Sequence, residues 1–252
     1  MSVRLRWFSD PACASSWAAE PLKRRLQLDF GGELDVRHVM GGLAREVGDP
    51  PYVSWLRAAQ DGMPVDPLLW VEGPIKSTYP ACMAVKAAGE QGPQAADHYL
   101  RRLREGLFCH RRKLDSTEAL IEEARRAGLD AGRFRVDLGS HATVEAFGTD
   151  LELRRAHGSG LPFAVYGDDR HVAGDAPIEE HRAAAIAAGG TAGGENLTVE
   201  EAFARFGSLA LPEVEVLCGL PTPRAAADVW RLVSEWKVKA VPVLAGHLFE
   251  PA

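Results

Sequence analysis

The residues best placed to do chemistry stand at 10–17, Asp10-Pro11-Ala12-Cys13-Ala14-Ser15-Ser16-Trp17. An Asp-Pro turn there leads into a helix whose first residues include Cys13. A cysteine at a helix start faces unpaired backbone N–H groups and the positive end of the dipole. That setting favours the thiolate, the nucleophilic form of the side chain. Ser16 can donate a hydrogen bond toward the sulfur, but it cannot close a disulfide with it. A second group stands far downstream, Gly158-Ser159-Gly160-Leu161-Pro162-Phe163. Xaa-Pro is the one linkage for which the cis peptide is cheap, and a strand follows directly. Each residue also has a plainer reading. Cys13 is then a buried structural thiol, Ser16 a helix-start residue and Pro162 a trans proline at a strand entry.

The rest of the composition narrows the classes of function. The 252 residues carry 29 Lys and Arg against 35 Asp and Glu, a formal net charge of -6. That balance argues against a broad electrostatic grip on nucleic acid or an anionic membrane. No stretch approaches the roughly 18 consecutive apolar residues of a membrane helix. The basic start is followed by no long apolar run, so no secretory leader is read, and the expected address is the cytoplasm. Cys13, Cys82, Cys109 and Cys218 form no C-x-x-C, and the histidines form no H-x-x-x-H. No metal site and no dithiol pair is therefore expected, and the thiols should be free.

Elements that would position the site follow from periodicity. Residues 3–8 alternate as a strand. A helix over about 14–28 is expected to kink at Pro21, and 34–40 read as a second strand, giving a β-α-β start. Residues 41–75, rich in Gly, Pro and Asp, read as a long surface segment. Helices follow from Ser77 or Thr78 through 91, at 94–108, from an Asp115/Glu118 capping box to Gly128, and over 130–138 and 141–156. Cys82 reads as core packing. Arg101, Arg102, Arg104, Arg111, Arg112 and Lys113 read as a solvated basic face. Residues 161–167 and 170–174 form a hairpin, and 176–188 a helix. Gly189, Gly190, Gly193 and Gly194 mark a flexible joint. Beyond it, three short helices and a terminal hairpin give the order of a winged helix. From residue 196 on there are five Lys or Arg against seven Asp or Glu, which speaks for protein contact or self-packing rather than DNA reading.

On the strength of DPACASSW, VMGGL (39–43), STYPACMAVKAAGEQG (77–92) and GSGLPF (158–163), the chain resembles the DsbA-like family of thioredoxin-fold proteins. The likeness is greatest to the cytoplasmic, FrnE-type branch and covers about residues 3–190. It implies an α/β thioredoxin-like fold over 1–190, with a helical insertion at about 50–156, and leaves 195–252 as the winged-helix-like module. It further implies a nucleophile at Cys13, a helper at Ser16 and a cis-proline at Pro162. Leu161, Asp10 and Trp17 complete the expected substrate-side set, with Trp17, like Trp7, read chiefly as packing near the site. The departure is Cys13-Ala14-Ser15-Ser16 in place of C-x-x-C, which removes the resolving thiol. The expected chemistry is then monothiol exchange, isomerisation or deglutathionylation on a thiol- or disulfide-bearing protein, with glutathione as co-substrate. Two other branches of the superfold give alternatives: a client-binding protease adaptor, and a kappa-class glutathione transferase or isomerase in which serine does the work. An oligomer is left open by the Trp-bearing terminal helix.

Overall fold

A computed structural model describes residues 2–158 and 160–252. The thioredoxin part is built on strands β1 (Val3–Ser9), β2 (Leu34–Met40), β3 (Phe163–Tyr166) and β4 (Arg170–Ala173), in the order β2-β1-β3-β4. β1 runs parallel to β2 and antiparallel to β3. With a neighbour on each side, β1 can bury both faces. Leu5 and Trp7 pack on one side, and Phe8, stacked on Phe163 at 4.1 Å, on the other.

Pro21 does more than kink a helix. α1 (Ala14–Ala18) ends at Ala19, and α2 (Glu20–Phe30) begins anew with Pro21 in its first turn, where the missing N–H costs nothing. Residues 41–75 are not a surface segment. They contain α3 (Tyr52–Gln60) and α4 (Leu69–Glu72) and bury Trp55, Met63, Val65, Leu69 and Trp70 in the largest core. Those apolar residues are contributed by two short helices and the loop between them, so no single period links them. α5 (Tyr79–Gly89), α6 (Pro93–Phe108), α7 (Thr117–Arg126), α8 (Ala131–Leu138) and α9 (His141–His157) complete the insertion. α7 is capped by Ser116, whose Oγ accepts from Ala119 N–H, and not by Asp115, which accepts from Lys76 N–H instead.

After α10 (Ile178–Ala187) the glycines form no loose joint. Gly193 and Gly194 N–H both donate to Asp29 O, at 2.8 and 3.1 Å. A Cβ on Gly194 would lie 2.2 Å from Leu28 O, so this segment is laid tightly against the end of α2. The terminal part comprises α11 (Val199–Phe206), β5 (Leu209–Ala210), α12 (Leu211–Cys218), α13 (Thr222–Ser234), β6 (Val238–Pro242) and β7 (His247–Pro251). Its sheet order is β5-β7-β6, and its core takes in Cys218 and, from α2, Leu28. Three helices and a terminal hairpin thus stand in the order read from the sequence, with the short β5 added between the first two helices.

Of the basic face read from 101–113, Arg111 and Lys113 are exposed and Arg102 and Arg112 half-buried, but Arg101 and Arg104 are interior. Arg104 and Arg101 are 0% and 6% exposed. Arg101 donates through both terminal nitrogens to Glu213 of α12, at 2.8 and 2.9 Å, and through Nε to Glu105. Arg24 of α2 bonds the same Glu213 at 2.8 Å, and Arg104 pairs with Glu20. Lys23 joins Glu20 to Asp97. Buried guanidinium groups need counterions, and here the acids arrive from α2, α6 and α12, well apart in sequence. Burial pushes Glu20 up, but Lys23, Arg104 and Arg101 outweigh it and hold its carboxyl at about 2.

Candidate functional site

Cys13 is the N-cap of α1. Its N–H donates to Asp10 O at 3.3 Å, and its carbonyl accepts the first helical bond, from Trp17 N at 3.0 Å. The turn that aims it is fixed by Asp10. One carboxylate oxygen accepts from Ala12 N–H at 2.8 Å. The other accepts from Leu43 N–H at 2.7 Å, Thr78 Oγ1 at 2.9 Å and Cys82 Sγ at 3.3 Å. Asp10 is wholly buried and shares its oxygens among four donors. It ties the Cys13 turn to the β2–α3 loop and to α5, so its carboxylate is taken up in holding the site together. Trp17 is packing, its chief reading from the sequence. It is fully buried, lies parallel to Phe108 at 5.6 Å, carries Arg101 over its ring and donates Nε1–H to Pro64 O. Cys82 is core, as its helix side suggested, and its thiol is spent on Asp10.

The opposite wall comes from the loop before β3. The Leu161–Pro162 peptide is cis. Leu161 O lies 3.8 Å from Cys13 Sγ, and Pro162 O accepts from Gly174 N–H at 2.9 Å. Ser159 lies outside the described residues. Leu161 is seated on Gly41, where a Cβ would come within 2.4 Å of its Cδ1. Gly42, at φ +56, is equally tight against Leu151, Tyr79 and Phe147. Gly41 of VMGGL therefore lets the cis-proline loop approach the end of β2, and Gly42 lets α5 and α9 close on the next residue. Arg154 of α9 holds the segment after β2 by donating to both Gly41 O and Gly42 O.

These elements bring Cys13, Ser16, Leu161 and Pro162 together, but not as an exposed thiolate. Cys13 is only 6% exposed, and burial pushes its thiol above the ordinary value. The Ser16 side chain and N–H pull it back in part, as does the Arg104 charge, while Asp10 adds to the rise. Ser16 Oγ is buried without a well-formed hydrogen bond of its own, so its effect on the sulfur is that of a nearby dipole. The helix-start argument holds for the geometry but loses to desolvation in the balance. All four cysteines are free and buried. Among the described residues no group of three or more His, Cys, Asp or Glu could hold a metal, and no helix is long and apolar enough to cross a membrane.

Beside this wall runs a groove of about 1060 Å³. Its floor is Ala14, Ala18 and Leu22; α3 lends Arg57, and the terminal module lends Pro212 and Val216. Val53 and Leu56 of α3 are exposed but do not line the groove. Sequence reasoning missed α3 and the module as walls of the site. The Pro-Tyr-Val-Ser-Trp-Leu run at 51–56 was the available signal, an apolar pattern inside a Gly- and Pro-rich stretch.

A four-stranded sheet with β1 parallel to β2, a Cys-bearing helix start and a cis-proline loop opposite it define a thioredoxin-like domain with a one-cysteine site. The thioredoxin family model matches residues 7–171, and the chain belongs to that family. Among curated proteins it is similar to the ClpXP adapter protein SpxH of Halalkalibacterium halodurans, 35% identical over 59% of this chain and 53% of that protein. It is also similar to SpxH of Shouchella clausii, 28% identical over 96% of this chain and 86% of that protein. The chain thus spans about half the length of the first of these relatives. Structural neighbours are DsbA-like. A candidate protein disulfide isomerase from Nitrosomonas europaea has a TM-score of 0.67 at 20% identity, covering 74% of this chain and 97% of that one. The cytosolic disulfide reductase DsbM of Pseudomonas aeruginosa has a TM-score of 0.57 at 26% identity, covering 67% and 87%.

Proposed function

We propose that this chain is a client-binding adapter, of the kind its SpxH relatives are named for, in which the thioredoxin scaffold holds a protein partner and Cys13 is not required for turnover. The observation that carries this reading is the state of Cys13, a buried thiol pushed up by desolvation, with Ser16 where a resolving thiol would stand. The likeness to an adapter along 96% of the chain supports it, since it takes in the module as well as the thioredoxin part. The groove bounded by both parts supplies the surface for a partner segment. The site of action in this reading is the cytoplasm.

Monothiol exchange at Cys13, with glutathione as co-substrate, is the second reading. It is favoured by the closeness of the sulfur to the cis-proline wall and by the likeness to DsbM. One experiment separates the two. ClpXP-dependent protein turnover is followed in extracts lacking the protein and resupplied with wild type or Cys13→Ser, alongside a glutathione-coupled disulfide reductase assay. An adapter restores the decay of particular proteins with either form and shows no reductase rate. A reductase rate lost in Cys13→Ser, with no effect on turnover, would refute the adapter.

A further inference from the structure

The floor of the groove is apolar, but two arginines among its lining residues, Arg25 and Arg182, share a single acid. Asp29, near the end of α2, is 4% exposed and holds both guanidinium groups at once. Its Oδ1 accepts from Arg25 Nε at 2.8 Å and its Oδ2 from Arg182 Nε at 2.6 Å. Two cations thus meet one carboxylate, and one positive charge is left over.

The two arginines are placed differently. Arg25 uses all three of its nitrogens. The terminal pair donate to Asn196 Oδ1 and Val216 O, at 2.6 and 3.0 Å, and to Gly194 O at 3.3 Å. Arg25 therefore fastens α2 to the module. Arg182, on α10, keeps its side chain 31% exposed, and neither of its terminal nitrogens has a partner among the described residues. Glu179, one turn back on α10, and Asp175, ahead of α10, make no ion pair with it.

The shape of the free group decides what it can take. With Nε held by Asp29, the outer edge of the guanidinium is left, with parallel N–H donors from Nη1 and Nη2. That fork matches the two oxygens of a carboxylate, and the surplus charge favours an anion over a neutral acceptor. The groove as a whole is not basic, since Asp61 and Asp175 line it beside Arg57. A partner with many acids therefore gains little from the groove at large. What the groove distinguishes is one carboxylate at one place.

We propose that Arg182 reads an Asp or Glu side chain on the client segment that lies in the groove. This rests on the adapter reading and names the chemistry of its partner.

The test is selection of displayed random 12-residue peptides on the full chain and on Arg182→Gln, followed by fluorescence anisotropy of a selected peptide and of its Glu→Gln counterpart. On the wild type, one peptide position should favour Asp or Glu. The acidic peptide should bind about tenfold more tightly than its Gln counterpart, as expected for a charge-assisted hydrogen bond. Arg182→Gln should erase that difference and leave the Gln peptide's affinity unchanged. The unchanged Gln peptide shows that the groove is still folded. Arg182→Lys, which keeps the charge without the fork, should retain a smaller preference. Peptides selected without a favoured acid, or an acid preference that survives Arg182→Gln, would overturn this proposal alone. No peptide selected at all would overturn it together with the groove's role as a partner surface.

Discussion

Glu213→Gln is the substitution that most directly tests how the two parts of the chain are joined. Glu213 is 0% exposed, and its carboxylate takes Arg101 through two bonds, Arg24 through one and Ala210 N–H through another at 2.7 Å. Glutamine keeps the volume and one acceptor but removes the charge. Arg24 and Arg101 are then left facing each other, 5% and 7% exposed, with one counterion fewer. Solvent does not screen charges at that depth. Breaking a buried pair from one side costs about 3–5 kcal/mol. For a chain of this size that is a fall in melting temperature of roughly 6–20 °C. The assay is thermal and urea unfolding of both forms by near-UV and far-UV signals. One shared transition, shifted down, is expected, because Glu213 fastens the module to α2 and α6 at once. Pairing Glu213→Met with Arg101→Met should recover at least about 1 kcal/mol relative to the sum of the single changes, since one of the two cations left by Glu213 is then gone and Arg24 no longer faces it. A loss below about 1 kcal/mol, or a module that melts alone while the thioredoxin part is unmoved, would refute the reasoning.

Two further outcomes follow from buried titratable groups. Cys13, raised by burial, should alkylate slowly at neutral pH, with a rate still climbing above the ordinary thiol range, and Ser16→Ala should slow it further; a midpoint below about 8.5, with the other three cysteines replaced, would contradict the desolvated thiol. His181 is wholly buried between Tyr166 OH, at 2.8 Å from Nδ1, and Ala173 O, at 2.9 Å from Nε2, and burial, opposed in part by that carbonyl, lowers its pKa to about 4. Its unfolded form binds a proton near 6.5, so its share of the stability is full above that pH and declines as the pH falls from about 6.5 to about 4. His181→Gln should flatten that part of the stability–pH curve, as read by urea midpoints across the range.

The strands and most helices were legible in the sequence, because they rest on local signals; the placing of Pro162 beside Cys13 came only from the likeness to the DsbA-like family. Alternation marked β1 and β2, capping residues marked the helix starts, and a cysteine after Asp-Pro and a distant Gly160-Leu161-Pro162 marked the residues of the two walls. The order of three helices and a terminal hairpin beyond residue 195 was legible for the same reason. What tertiary structure alone decided was burial. The arginines of α6 looked like a solvated face because nothing local says that Glu20 and Glu213 will reach them from elsewhere. The glycines at 189–194 looked loose because a tight approach to Leu28 O is invisible in a single segment. The helix start at Cys13 argued for a thiolate, and the packing above it made desolvation the larger effect. Local rules fix backbone direction and side-chain face; the sign of an electrostatic balance depends on what the rest of the chain places within a few ångströms, and only the folded chain determines that.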